Sequence, residues 1–366
     1  MIYTIIFYLL IAYYSSRPDP KALKWACIVA AIYYGIRYNY MPDYMAYMAY
    51  FERVSSPSYI YDPDYEHFEI GWYLLNKAFV PIGYFPFVFI CSCVFAFGVY
   101  SMVKCLKIDQ KYLPIVLFGF FTLPALAVLS SAQRQFFVAG VFMIAYRYLL
   151  YEKLTNIKSL YSKTTLLYFV IVYICSTFHS SAIFLVLVPF LSVIPIKSKF
   201  TTFIVVVFFL AFISVGSSYL PILMSSYIEQ TETYDYLSET LANSEIGGAT
   251  LLATLMYAFQ IYFFSKALSL KDLNRDEAMI ILVALLCVAL NISSYYVQQL
   301  YRIAMYMSLF TYLTIPLIAT KMPKSTANIF YNVMLIWIIW NSLKIISFAP
   351  PARECDQYHT IFSVLF

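Results

Sequence analysis

The chain has 366 residues, of which 62% are hydrophobic and only 12% charged, and its formal net charge is +5. With a mean hydropathy of +0.74, this composition excludes an ordinary soluble domain. Apolar runs long enough to cross a bilayer recur along the chain, and they lack the alternation that the strands of a membrane β-barrel require. The sequence therefore predicts an all-α fold, a polytopic transmembrane helical bundle that forms a single integral membrane domain over 1–366.

The predicted membrane spans number about 12. In chain order they lie at 1–16, 23–36, 84–103, 112–130, 134–151, 164–178, 180–195, 200–218, 249–265, 278–293, 301–320 and 328–347. The stretch "TFHSS" either separates two spans or interrupts one long helix, so about 11 or 13 spans are alternatives. The first span has its basic residues after the apolar stretch, the reverse of a secretory signal, and is expected to be a retained helix that starts outside.

Basic residues fall mainly in every second connection between these spans. They are Arg17, Lys21, Lys24, Lys104, Lys107, Lys111, Lys153, Lys158, Lys163, Lys197, Lys199, Lys266, Lys271, Arg275, Lys321 and Lys324. By the positive-inside rule these connections are cytoplasmic, which leaves both termini outside. The outer face then carries a long, partly helical connection over 37–83 and an acidic connection over 217–248.

Three arginines lie at or near the predicted outer face, although basic residues usually favour the cytoplasmic side. Arg134 opens a span within "LSSAQRQFFVAG", Arg302 begins a later span, and Arg37 ends the second one. A charge next to lipid is costly unless something holds it. Because a guanidinium is planar, permanently charged and bidentate toward phosphate oxygens, these arginines are predicted to bind a diphosphate. Each could instead be an interfacial anchor whose charged end reaches water.

Three titratable side chains near the same face are candidates for taking a proton from an acceptor hydroxyl. They are Glu69, His179 and Asp43, and the sequence does not decide among them. The acids could also be ordinary residues at helix starts, and His179 could be a hydrogen-bonded turn residue between two apolar runs.

Aromatic residues reach 20% of the chain, and many of the 37 tyrosines lie in polar connections. An aromatic ring offers an apolar face to a sugar and a polar edge, so Tyr44, Tyr47 and Trp72, with Gln135, are predicted to bind sugar. Helix packing is the alternative interpretation of these rings. The seven cysteines show neither a disulfide framework nor a metal-binding motif, and no metal or cofactor is predicted.

These segments together resemble the EpsG/Wzy-like family of bacterial surface-polysaccharide polymerases. The segments are "IRYNYMPDYMAYMAYF", "FEIGWYLLNKAF", "SSAQRQFFVAGVFMIAYRYL" and "FHSSAIFLVLVPFL". The residues that match the family pattern are Arg37, Asp43, Tyr44, Glu69, Gly71, Trp72, Arg134, Gln135, His179, Ser181 and Ala182, with a weaker match at Arg302. The chain departs from the family pattern at Pro42, where glycine is common.

The resemblance implies a membrane glycosyltransferase that joins undecaprenyl-diphosphate-linked oligosaccharide repeats at the periplasmic leaflet of the bacterial inner membrane, with O-antigen as the usual product in a Gram-negative host. One lipid-linked glycan is the donor and the non-reducing end of another is the acceptor. Membrane lipid is an expected partner and nucleic acid is not; docking of a chain-length regulator protein is left open. The alternatives are an O-antigen ligase-type glycan transferase, a lipid-linked sugar transporter or flippase, and a structural partner of an assembly complex.

Overall fold

A computed structural model describes residues 2–63, 68–151, 160–194, 248–270, 272–294, 299–347 and 358–362. Within these ranges the chain is almost entirely helical, which confirms the all-α class. It divides into two compact units, the first formed by Met1–Val193 with Ser325–Phe366 and the second by Ile194–Lys324. The predicted span 200–218 and residues 217–247 of the predicted acidic connection lie outside the described residues.

The first unit contains most of the described helices. They are α1 (Ile2–Ser16), α2 (Ala22–Gly35), α3 (Tyr44–Ser55), α4 (Ile70–Phe79), α5 (Tyr84–Cys105), α6 (Leu113–Phe121), α7 (Pro124–Ser131), α8 (Gln133–Tyr151), α9 (Lys163–Phe178), a 3₁₀ helix (Ser180–Val193) and, after its first residue, α13 (Lys324–Ser347). Two short strands, β1 (Arg37–Tyr38) and β2 (His359–Thr360), pair antiparallel, so the C-terminal segment joins the connection that follows α2.

The second unit contains α10 (Gly248–Leu268), α11 (Arg275–Ser293) and α12 (Gln299–Lys321). Asn274 and Glu277 form a reciprocal capping box at the start of α11. The ammonium of Lys321, at the end of α12, lies 3.2 Å from the Glu277 carboxylate. This contact ties the last turn of α12 to the first turn of α11.

The described helices support a membrane protein, but they do not confirm about 12 spans. Three are long and apolar enough to cross a membrane: Tyr84–Cys105, Arg275–Ser293 and Leu300–Lys321. The predicted span 112–130 is not one straight helix, because it breaks before Pro124 and its two parts are bent by 55°. Over Ser180–Val193 the predicted span 180–195 is a 3₁₀ helix with Pro189 inside it. The larger span count therefore stays a prediction.

Helix α5 is central to the first unit and packs against α2 and α8. Its approach to α8 is close enough to require glycine on both helices. A Cβ added to Gly98 would lie 2.4 Å from the carbonyl oxygen of Gly140, and one added to Gly140 would lie 2.6 Å from the Cα of Phe95. Small residues at such crossings let two backbones meet, and here the crossing fixes α8 beside α5.

Candidate active site

Glu69 precedes α4 and directs its carboxylate away from its own helix. The residue is extended, with φ −67° and ψ 152°, and its side chain does not cap α4. Its backbone oxygen accepts the first helical hydrogen bond, from the amide of Tyr73, at 3.1 Å. The carboxylate is therefore available to groups that other parts of the chain supply.

One of these groups is the guanidinium of Arg134, in the first turn of α8. Its Nη1 donates to Oε2 of Glu69, and its Nε donates to the hydroxyl of Tyr47 at 3.2 Å. The guanidinium carbon also lies 4.5 Å from the ring centroid of Phe68. The Arg134 side chain is 14% exposed and that of Glu69 is 22% exposed, so this ion pair is partly shielded from solvent but still accessible.

The second set of groups comes from the junction between α9 and the 3₁₀ helix. His179 is extended there and ends α9. Its Nδ1 lies 3.6 Å from Oε1 of Glu69, and the backbone amide of Ser180 donates to the same oxygen at 2.7 Å. The Glu69 carboxylate is thus held from two sides, by α8 and by the start of the 3₁₀ helix.

Gly71 brings α4 close enough for this arrangement. A Cβ at Gly71 would lie 2.3 Å from Oγ1 of Thr177 and 2.7 Å from its carbonyl oxygen, in the last turn of α9. Only a residue without a side chain fits this approach. The glycine two residues after Glu69 therefore fixes the distance between the carboxylate and His179.

We predict that Gly71→Ala lowers the activity of this candidate site by roughly 100-fold, because a shift of about 1 Å in a catalytic group has an effect of that size. The added Thr177→Ala substitution is expected not to restore activity, since the carbonyl oxygen of Thr177 still blocks the methyl group. Ala78→Ser, on an exposed position of α4, is the matched control and should be neutral. Activity of Gly71→Ala at the wild-type level would contradict the prediction.

The surroundings of Glu69 keep its carboxylate ionised. Burial raises the pKa of Glu69, but the neighbouring His179 imidazole, the Arg134 charge and the Ser180 amide outweigh burial and lower the pKa from 4.5 to about 2. A carboxylate with so low a pKa is a weak base. It is better suited to orienting His179 and Arg134 than to accepting a proton itself.

The lowered pKa predicts how stability depends on pH. A depressed folded-state pKa stabilises the folded protein above the unfolded value and loses that contribution as pH falls through the folded value. The difference in melting temperature between the wild type and Glu69→Gln should therefore stay nearly constant from pH 7 to about 5 and then shrink progressively as the pH falls to about 2. Thermal unfolding in detergent measures this difference, and its disappearance between pH 7 and 5 would contradict the assignment.

The other residues predicted for the site lie elsewhere or are covered. Tyr44 and Trp72 are completely buried and Gln135 is 2% exposed. The Trp72 ring packs between Tyr47 and Phe87, with centroid distances of 5.8 and 5.3 Å. These side chains would have to be uncovered before they could contact sugar. Of the predicted sugar-binding set, Tyr47 touches the Glu69–Arg134 pair directly, because its hydroxyl accepts from Arg134.

Asp43 and Arg302 are both exposed. Asp43 immediately precedes α3, and its side chain does not cap that helix. Arg302 lies on α12, in the second unit. Their roles as proton acceptor and diphosphate ligand stay predictions.

Arg37 is completely buried, although it was predicted to bind a diphosphate. Its guanidinium donates to the carbonyl oxygens of Tyr34 and Ser130 and to the hydroxyl of Ser92, the last at 3.3 Å. The two carbonyls belong to the final turns of α2 and α7, which carry partial negative charge. In this structure Arg37 joins the ends of two helices to α5.

We therefore predict that Arg37→Met chiefly impairs folding, because two buried carbonyl groups lose their donor. Each such loss costs about 1–3 kcal/mol. The amount of protein in the membrane and its melting temperature should fall, whereas the activity per folded molecule should remain measurable. Normal folding with abolished activity would instead favour a direct contact between Arg37 and the substrate.

Two contributors to the cluster were not identified in the sequence. Phe68 places its ring over Arg134, and Ser180 contributes a backbone amide. The position of Phe68 beside Glu69 was a signal that could have identified it. The backbone amide of Ser180 gives no such signal, because every residue except proline has one. The role of the Ser180 amide becomes visible only in the fold, where the first residue of the 3₁₀ helix lies against the Glu69 carboxylate.

Long apolar helices with a partly shielded cluster of charged groups define a membrane protein of the polytopic α-helical class. A match to the EpsG family covers residues 23–359, nearly the whole chain, and the chain belongs to that family. Members of the family are generally glycosyltransferase-like polymerases, so membership indicates a polysaccharide-polymerase type of function. Comparison with curated proteins and with solved structures gave no match.

Proposed function

We propose that this protein joins undecaprenyl-diphosphate-linked oligosaccharide repeats into a polysaccharide, such as O-antigen, at the periplasmic leaflet of the inner membrane. The observation that carries the proposal is the cluster of Glu69, Arg134 and His179, which unites three separate segments of the first unit. In the reaction, the acceptor hydroxyl oxygen bonds to the anomeric carbon of the donor sugar. The bond from that carbon to the lipid diphosphate breaks, and the hydroxyl loses its proton.

The charges of the cluster fit the charge separation in this reaction. Glycosyl transfer develops positive charge on the sugar ring, and the departing diphosphate gains negative charge. Glu69 supplies a fixed negative charge and Arg134 a fixed positive charge beside it. Arg134 would bind and stabilise the leaving diphosphate, while Glu69 would face the sugar ring.

His179 is our choice for the group that accepts the proton. Its Nδ1 lies toward the Glu69 carboxylate, at 3.6 Å, and its Nε2 is buried in this structure, so the covering side chains would have to move before the acceptor hydroxyl could reach that nitrogen. A carboxylate that orients an imidazole and stabilises its protonated form is the arrangement that makes histidine an effective base. Tyr47 would keep the guanidinium of Arg134 in place through its hydroxyl.

Deletion of the gene distinguishes this proposal from its nearest alternatives. Loss of a polymerase should leave glycans of one repeat unit still attached to their final acceptor. Loss of a ligase should remove all attached glycan, including single units, and loss of a flippase should leave lipid-linked units on the cytoplasmic side. Either of the last two results would overturn the proposal.

A further inference from the structure

A second feature of the first unit is a groove of about 360 Å³ between α2 and α5. Its lining residues run from Lys24 to Ala31 on α2 and from Cys93 to Tyr100 on α5, on each helix at positions i, i+3, i+4 and i+7. This spacing places each set on one stripe of its helix. At 1.5 Å per residue the groove is about 10 Å long, and Glu69, Arg134 and His179 do not line it.

Small side chains form the floor of the groove, and exposed apolar side chains lie along its edges. Ala31 and Ala96 contribute little more than a methyl group each at its floor. Phe97, on one wall, is 52% exposed, and the neighbouring Ile32 is 45% exposed. An apolar surface exposed at this depth of a membrane protein faces hydrocarbon, so a lipid chain is the natural occupant.

Positive charge lies at one end of the groove only. Lys24 lines that end, and among the described residues no hydrogen bond or ion pair to its ammonium is found. Tyr100 lines the groove on α5, and the ammonium of Lys104, one turn further along that helix, donates to the Tyr100 hydroxyl at 3.1 Å and stands 5.3 Å from that ring's centroid. No carboxylate in the described part of the chain pairs with either lysine.

We propose that this groove binds an anionic phospholipid of the cytoplasmic leaflet. One acyl chain lies along the floor, and the phosphate is held by Lys24 and by Lys104 beside the Tyr100 hydroxyl. The end of the groove that carries these lysines is cytoplasmic by the positive-inside rule. The site therefore cannot hold the diphosphate of a donor at the periplasmic leaflet, and it does not depend on the glycosyl-transfer proposal.

Native mass spectrometry of the purified protein, titrated with phosphatidylglycerol and separately with phosphatidylcholine, tests this site. We expect one phosphatidylglycerol to bind more tightly than phosphatidylcholine. The double variant Lys24→Gln, Lys104→Gln should weaken phosphatidylglycerol binding by roughly 30-fold, since each lysine near an anionic surface contributes about 1 kcal/mol. Lys21→Gln, immediately before α2 and outside the groove, is the matched control and should bind as the wild type does.

A second pair of variants tests the apolar part of the groove. Ala31→Leu fills the floor and should weaken binding of both lipids, whereas Val29→Leu, which adds bulk off the lining stripe of the same helix, should not. Equal affinity for the two lipids, or unchanged phosphatidylglycerol binding in the double lysine variant, would overturn the proposal. It would also be overturned if the protein proved to be a dimer that Ala31→Leu dissociates, because a second copy would then occupy the groove.

Discussion

Replacing Arg134 with lysine is expected to abolish chain lengthening, with a loss of at least about 100-fold, although the protein still inserts and folds. Lysine keeps the positive charge, but it cannot donate to Glu69 and Tyr47 from two edges of one planar group. In the proposed reaction, a charged group that has lost its fixed position would no longer stabilise the departing diphosphate, and removal of one such fixed donor costs about 100- to 1,000-fold in rate. The length distribution of the polysaccharide measures the effect.

The matched control for this variant is Arg147→Lys, on the same helix. Nη1 of Arg147 donates to the Ser101 hydroxyl at 3.2 Å, away from the Glu69 cluster. We expect Arg147→Lys to give polymer of normal length at a normal amount of protein. Normal polymer from Arg134→Lys would show that the guanidinium geometry does not matter and would argue against its proposed role.

Replacing His179 with alanine should lower the rate by about 100- to 10,000-fold, the usual contribution of a general base. The substitution removes the imidazole but leaves the Ser180 amide available to Glu69, so the carboxylate keeps two of its partners. Added imidazole should partly restore the rate of His179→Ala, because it can occupy the space of the lost ring. The rate of oligomer formation from a lipid-linked repeat measures both effects.

His359→Asn is a suitable control, since His359 lies in β2 and not beside Glu69. It should leave the rate unchanged. If His179→Ala polymerised at the wild-type rate, the proton would have to be accepted by another group. If His179→Ala were inactive and imidazole had no effect, while Glu69→Gln was equally inactive, Glu69 would be the better candidate for the base.

The sequence could predict three members of the cluster, but neither Phe68 and Ser180 nor how the members pair. Glu69, Arg134 and His179 stand out because each is a costly residue near a long apolar run. The ion pair between Glu69 and Arg134 spans 65 residues of sequence, and the bond from Ser180 to Glu69 spans 111. Such pairing depends on the helix crossings, including the approach of Gly71 to Thr177, which a single sequence does not reveal.

The burial of Arg37, Tyr44 and Trp72 could not be predicted from the sequence, for a related reason. Residue type shows what a side chain could bind, but not whether it faces an opening or the interior of a bundle. All three are completely buried. A long apolar run likewise does not show where it bends, and the break before Pro124 divides a predicted span into α6 and α7.

The central claim is that this cluster catalyses the joining of lipid-linked repeats, and one measurement tests it directly. The purified wild type and Arg134→Lys, shown to be equally folded, are incubated with a single synthetic undecaprenyl-diphosphate-linked repeat, and the products are analysed by mass spectrometry. We predict oligomers that grow by one repeat at a time from the wild type, with one undecaprenyl diphosphate released for each bond formed, and none from the variant. Oligomers from both at the same rate, or from neither, would contradict the account.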